Sequence, residues 1–585
     1  MRTASIVTLI LLGAGAIVAV AAMPPEQLGE IIVRVKRHTP EIARQAWRAR
    51  RNRPAAAETA SAAAVELEQA GNPNRSGTFM LECRADDRPI SPLIYGIGGA
   101  GDSPWATGAT ARRWGGNPTT RYNWQLNTSN LAKDWFFKNV GDSSGPPTWE
   151  TFLDENREHG VRSVMTVPTI GWVAKDNTSW GFPASIFGKQ QVMAPDNPGA
   201  GNGIGLDNKE LAPGPPTQTS ARSTPEIIEQ WVKKIREGDG PRGRRASGYI
   251  LDNEPSLWNS THRDVHPDPA TYDELIEKTI AYATAIRRAD PDATIAGPAE
   301  WGWLAFQYSA KDVAAGVQLR PDRRIHGDEP LIPWYLRRIA DYEGRNKVKL
   351  LDILDVHLYP MAQGIGIGKD GKTDSATAAL RIRSTRSLWD PSYVDESWIN
   401  ERMRVIPLLK EWIAQYHPGL GVSIGEWNFG AETHMSGGLA TAEALGRFGT
   451  EGLTSAYYWT HPEDRSPAFW AFRAFRNFDD AGGRFLDRTM STRNGALLSS
   501  LFGSRNDEGT HVVAVLLNFA ALSSLSARVG VQNCGSVSAA RAFSYTGGDA
   551  GFKKFDITST PEGVQATFPA YSITVLDLTT SPPPR

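Results

Sequence analysis

Cysteine is scarce: the 585-residue chain has only Cys83 and Cys534. Cysteine-built zinc sites need close pairs at short spacing, so that class is excluded. The two residues are either buried free thiols or, in an exported protein, a disulfide fastening the start of the folded region to its end. An excess of charge of one sign is also missing. Lys plus Arg number 63 and Asp plus Glu 64, a net charge of −1. No basic field exists to gather nucleic acid, so that partner class is excluded and a neutral or weakly charged partner fits. Tryptophan is missing from the C-terminal region, because 18 of the 19 lie between Trp105 and Trp470. The large central region is thus the one rich in flat apolar faces. Most of these bury as core, and a minority can stack on sugar rings.

In chain order, residues 1–22 carry Arg2 and then an apolar run from Ala4 to Ala22, read as a secretory signal peptide or an uncleaved membrane anchor. The basic stretch that follows, from Arg34 to Arg53, counts against simple export. Secretion or periplasmic export is the favoured reading, with membrane association only if the N-terminal segment stays uncleaved. Residues 23–76 read as a basic and Ala-rich linker, and 77–91 as an N-terminal strand joining a β-sandwich. From 92 to 484 a beat appears of short apolar strand, loop and amphipathic stretch. Strands are expected at 93–97, 111–115, 162–167, 248–253, 293–297, 352–358, 421–426 and 454–459. Helices are expected from Pro225 to Glu237, Pro269 to Arg288, Trp334 to Tyr342 and Trp398 to Tyr416, the first two opening on proline. Eight strands with helical crossovers give an α/β fold, a (β/α)8 barrel of the TIM type. Residues 485–580 hold short strands between Gly, Asp and Pro turns, a C-terminal antiparallel β-sandwich, and 581–585 a disordered tail.

The chemistry starts at Tyr249-Ile250-Leu251-Asp252-Asn253-Glu254-Pro255. The first three residues read as a buried strand that Pro255 ends, so Glu254 sits at the strand's C-terminal end, the catalytic face of such a barrel. Glu426 ends a second apolar strand, Gly421 to Gly425. Each acid alone reads equally well as a solvated, capping or rim carboxylate. Paired at the ends of strands four and seven, they can face each other across the barrel mouth, as glycosidic cleavage requires. Other strand ends add Arg113-Trp114, Glu300-Trp301, His357 with Tyr359, and Trp459; singly, each reads as structural. His262 and His266 sit four apart, but the loop-like composition ending in Pro267 argues against metal ligation. No metal site is assigned.

Five segments then carry a resemblance: RRWGGNPTTRYNW (112–124), YILDNEPSLWNSTHRDVHP (249–267), LDVHLYP (354–360), SLWDPSYVDESWI (387–399) and GVSIGEWNFG (421–430). In this order they resemble glycoside hydrolase family 44, over roughly residues 78–578. The resemblance implies a retaining endo-β-1,4-glucanase acting on carboxymethylcellulose and xyloglucan, with a barrel and a sandwich built from both ends of the folded region. It implies Glu254 as acid/base and Glu426 as nucleophile. The N-terminal basic stretch and linker have no counterpart in the family's catalytic unit. By this reading Glu426 attacks the anomeric carbon, and Glu254 gives a proton to the leaving sugar and later takes one from water. Glu254 must start protonated, which burial and the charge of Glu426 favour. Substrate contacts are assigned to Asn253, Trp114, Asn123, Tyr359, Trp427 and Trp459, with Tyr359 also holding the nucleophile. No cofactor is required, and a structural calcium is admitted without identifiable ligands. The expected partner is a β-1,4-linked glucan and the expected state a monomer. The alternatives are a β-1,4-mannanase or xylanase on the same barrel, or a non-catalytic polysaccharide-binding protein.

Overall fold

The computed structural model describes residues 75–98, 104–141 and 147–581. The expected leader and anchor, nearly all of the linker and all but the first residue of the tail lie outside the described residues. Eight parallel strands close into a barrel: Gly96–Gly98, Ala111–Trp114, Arg162–Val167, Gly248–Leu251, Thr294–Glu300, Ile353–Leu358, Gly421–Trp427 and Ser455–Tyr458, each paired with the next and the last with the first. They read as apolar runs because both faces are covered. The first strand begins later than expected, because Ser91 caps a 3₁₀ turn over Pro92–Tyr95.

The helices carry their boundaries in local chemistry. Pro225–Glu237 opens on proline, which lacks only an N–H that the first turn leaves unbonded. The second helix starts at Tyr272, not Pro269, because the Thr271 side chain accepts from Glu274 N and caps it. The helix expected from Trp398 is Val405–Tyr416, with Arg404 in the left-handed region before it. Leu331–Asn346 is longer than expected on both sides. Among the described residues, no helix is long and apolar enough to cross a membrane.

Two antiparallel-dominated sheets pack into the sandwich. One has six strands, with Ser499–Arg505, His511–Asn518, Ser572–Thr580 and Val537–Tyr545 as its centre. The other has five, and Ser76–Glu82 enters it parallel to Leu525–Gln532. Along His511–Asn518 the side chains alternate. Val512, Ala514 and Leu516 fill the sandwich core, while Val513, Val515 and Leu517 join the barrel's helix layer. The helix Met435–Thr450 lies against this sheet at Gly446, where a Cβ would come 2.4 Å from the Phe502 ring. Glycine is what permits that approach.

Cys83 and Cys534 are joined as a disulfide, 451 residues apart in sequence, which ties the edge of the N-terminal strand to the loop after Leu525–Gln532. Closing so long a loop restricts the unfolded chain, an effect of about 2–4 kcal/mol. Reduction, or Cys534→Ala, should therefore lower the thermal midpoint; an unchanged midpoint in a scan with and without reductant would contradict this.

Candidate active site

The fourth strand ends in a turn that few sequences adopt. Asp252 and Glu254 both have left-handed backbone, φ +64° and +51°. Such backbone costs a non-glycine residue about 1–2 kcal/mol, so the surroundings must hold it. The Asp252 carboxylate does so. Its Oδ1 accepts from Thr120 Oγ1 at 2.7 Å, Asn253 N at 2.8 Å and Trp258 Nε1 at 3.3 Å. Its Oδ2 accepts from Thr169 N, Thr169 Oγ1 and Ile170 N. Lys278 in turn fastens the donating loop through the carbonyls of Thr169 and Ile170. Glu254 N then donates to Ala299 O at 3.0 Å on the neighbouring strand end.

Strand parity aims the rest. On the second strand Arg113 points into the barrel and is fully buried. Its Nη1 donates to Glu426 Oε1 at 2.7 Å and to Gly425 O, and its Nη2 to Asn253 Oδ1 at 2.9 Å. Burial works against its charge, but Glu426 and Asp355 outweigh burial and hold the guanidinium above its ordinary value. Tyr359 OH donates to Glu426 Oε2 at 2.7 Å. Burial first, and then the two glutamates, push that phenol well above its usual range, so it stays a donor. His357 stands between the acids, with Nδ1 3.0 Å from Glu254 Oε1 and 3.5 Å from Glu426 Oε2. One ring nitrogen carries at most one proton, so it can donate to one carboxylate at a time. Beneath them, a Cβ on Gly425 would come 2.4 Å from Asp355 Oδ2; the glycine makes room for this buried acid.

Oxygens of Glu254 and Glu426 and the His357 nitrogen all lie within 4.8 Å of one another. Retaining glycosidases keep their carboxyls about 5–5.5 Å apart, whereas inverting ones leave about 6.5–9.5 Å for a water. The same three donors could in principle share a cation. The Arg113 charge at 2.7 Å from Glu426 opposes that, since it already neutralises the carboxylate. Among the described residues, His262 and His266 belong to no group of three side chains placed to share a metal, and His266 Nε2 bonds Glu274 at 2.8 Å.

The substrate-contact assignments divide. Asn253, Tyr359 and a partly exposed Trp459 gather at the mouth, and the Trp459 ring lies 2.5 Å from where a Gly116 Cβ would be. Trp114 and Trp427 do not belong there. Because Arg113 and Glu426 face inward, their next neighbours face outward. Trp114 packs against Tyr122, Phe152 and Trp231, and Trp427 against Phe448, Tyr458 and Phe472, leaving neither ring a face for a sugar. Asn123 is buried, with its amide bonded to Ala174 O and Gln125 N, and serves as a link between loops. The sequence places Arg113 and His357 among the strand ends that converge on the pocket, without a role for either. The available signal was parity: Asp355 and His357 are polar residues two apart on an otherwise apolar strand.

The sequence model of glycoside hydrolase family 44 matches residues 128–362. Endoglucanase A of Paenibacillus lautus is 31% identical over 473 residues, which span 76% of this chain and 64% of that protein. The structure of CelM2, a bifunctional glucanase-xylanase from a metagenome library, superposes with a TM-score of 0.81 at 34% identity, covering 87% of this chain and all of that one, 100%. A Paenibacillus polymyxa xyloglucanase from family 44, solved with xyloglucan, gives a TM-score of 0.72 at 25% identity, covering 87% of this chain and 100% of that one.

Asp252 sits among donors alone, so Asp252→Asn would turn an amide N–H₂ toward N–H and O–H groups. Each unsatisfied buried group costs about 1–3 kcal/mol. The variant should lose thermal stability and kcat together; wild-type values for both would show that the turn does not depend on this carboxylate.

Proposed function

The chain belongs to glycoside hydrolase family 44, and from that premise we propose that it is a retaining, endo-acting hydrolase of β-1,4-glucan linkages. The observation that carries this reading is the meeting of Glu254 and Glu426 at His357, with oxygens within 4.8 Å. In the proposed cycle Glu426 is the nucleophile. Its oxygens, oriented by Arg113 and Tyr359, approach the anomeric carbon as the glycosidic bond breaks. Glu254 donates its proton to the departing oxygen, leaving a covalent glycosyl-enzyme and an ionised Glu254. Water then attacks the anomeric carbon, its proton passes to Glu254, and Glu426 leaves as carboxylate. Two carboxyls suffice for this chemistry, so no cofactor enters. Asn253, fixed by Arg113 and Asn117, would take the sugar 2-hydroxyl, and the exposed face of Trp459 would carry the ring beside the cut.

The substrate class rests on the relatives. An endoglucanase and a xyloglucanase favour β-1,4-glucans with or without branches, and the glucanase-xylanase CelM2 supports a second reading that includes xylan. A polymeric substrate and a formed disulfide both favour action outside the cytosol.

Reducing-sugar release from carboxymethylcellulose, xyloglucan, glucomannan and xylan tests the proposal. Activity on the β-1,4-glucans is expected, and its loss in Glu426→Ala. Activity confined to xylan or glucomannan would move the substrate assignment, and activity surviving in Glu426→Ala would remove the nucleophile. Glu254→Gln should lower kcat/KM for poor leaving groups about 10²–10⁴-fold while sparing kcat/KM, which reports the first step, for activated aryl glycosides, and an equal loss of kcat/KM on both would refute its role as the acid.

A further inference from the structure

Glu300 ends the fifth barrel strand, beside the turn that carries Glu254. Pairing with the sixth strand slips between Pro298 and Glu300, and Ala299 is left-handed at φ +57°. The bulge sets Ala299 in the inner row with Ile250 and Ile353 and turns Glu300 toward the layer behind, within electrostatic reach of Tyr335. There the carboxyl is wholly buried. Oε1 accepts from Ser256 Oγ at 2.8 Å, and Oε2 has no hydrogen-bond partner. Ser256 lies two residues beyond Glu254, in the 3₁₀ turn Pro255–Leu257. Glu254 N is bonded to Ala299 O, so two adjacent residues of the fifth strand end grip the Glu254 turn from both sides.

We propose that Glu300, held as a neutral carboxylic acid, is a positioning residue that clamps the Glu254 turn through Ser256 and adds no second negative charge beside the acid. The Ser256 hydroxyl, with the weaker pull of the Ser256 and Trp301 N–H groups, does not compensate the burial of a charge. Burial, reinforced by the field of Glu254, pushes the carboxyl up to about 8. The proposal rests on Glu254 being the acid of the reaction. A loosened turn would misplace that acid, and the loss would fall on substrates that need protonation of the leaving group.

The test uses the full chain with Glu300→Gln, Glu300→Ala and Ser256→Ala, with Glu254→Gln as reference. Each is assayed on an unactivated cello-oligosaccharide and on a dinitrophenyl cellobioside. Glu300→Gln keeps the shape, the neutrality and the acceptor, and should stay within about twofold of wild type on both. Glu300→Ala and Ser256→Ala should lose about tenfold in kcat/KM on the oligosaccharide and keep kcat/KM on the aryl substrate, whose first step needs no proton from Glu254. Equal losses on both substrates, or a Glu300→Gln as impaired as Glu300→Ala, would overturn the role. If Glu300→Ala does not fold, Ser256→Ala carries the same comparison. A Glu254→Gln that loses both substrates equally would overturn the acid assignment and this role with it. An intact Glu254→Gln split beside flat Glu300→Ala and Ser256→Ala results would overturn this role alone.

Neutrality has its own readout. The folded carboxyl keeps its proton up to about 8, while the unfolded one releases it near 4.5. The folded state therefore holds the extra proton, and wild-type stability falls as pH rises across that window. The thermal midpoint of Glu300→Gln relative to wild type should rise between about pH 5 and 8 and then level off; a flat difference would mean that Glu300 is charged.

Discussion

The Arg113 guanidinium holds the mouth of the barrel together. Glu254, Glu426 and Asp355 all lie in the interior with little or no exposure. Carboxylates gathered in low dielectric repel one another and lack water, so such a cluster needs a cation or must give up charge. Arg113 supplies the cation from the second strand and reaches strand seven through Glu426 and the fourth strand end through Asn253. The planar fork suits this task, since one terminal nitrogen serves the Glu426 carboxylate while the other fixes Asn253, the residue before Glu254. A lysine would offer a point charge with no such geometry. The same pairing leaves a division of labour. Glu426, beside the cation, is stabilised as an anion, which suits the attack proposed for it. Glu254 meets His357 Nδ1 at 3.0 Å and lies outside the fork.

Around this pair the barrel stores backbone strain and answers it with hydrogen bonds. Asp252, Glu254 and Ala299 are all left-handed, on adjacent strand ends. None is glycine, so the conformation is imposed by what surrounds it. Asp252 supplies that constraint on one side with an acceptor-only carboxylate among donors, and the fifth strand supplies it on the other through Ala299 O. A turn fixed at both flanks leaves the Glu254 side chain few alternatives. That is the state an acid needs if its proton is to meet a leaving oxygen within hydrogen-bond reach.

Much of this was legible along the chain. The barrel follows from eight apolar runs of strand length at crossover spacing, and the two acids from their places at strand ends. Trp114 and Trp427 were legible too, but through parity: a residue beside an inward charge on a strand points out. Weighing their aromatic chemistry above that alternation sends them to the wrong face. Other features depend on distance in sequence and could not be read locally. Arg113 reaches Glu426 across 313 residues, and Ser256 meets Glu300 across 44. Pairing of Cys83 with Cys534 depends on a parallel strand match between the two ends of the chain.

The sandwich supplies none of the side chains described at the site, yet it bears on strand seven through packing. Its six-stranded sheet is buried on both faces, and the outer row, with Phe502, Val513 and Val515, joins the helices Met435–Thr450 and Pro467–Arg476. Phe448 and Phe472 of those helices pack on Trp427, the neighbour of Glu426. Trp427 cannot rotate without displacing these rings, and strand seven cannot shift without moving Trp427. Close-packed interiors transmit such displacements instead of absorbing them. The outward face of the tryptophan, useless to a sugar, thus gives the inward carboxylate a fixed backbone. An error of about 1 Å at a reacting group can cost a hundredfold in rate, so a buttress behind strand seven matters to the chemistry proposed for Glu426.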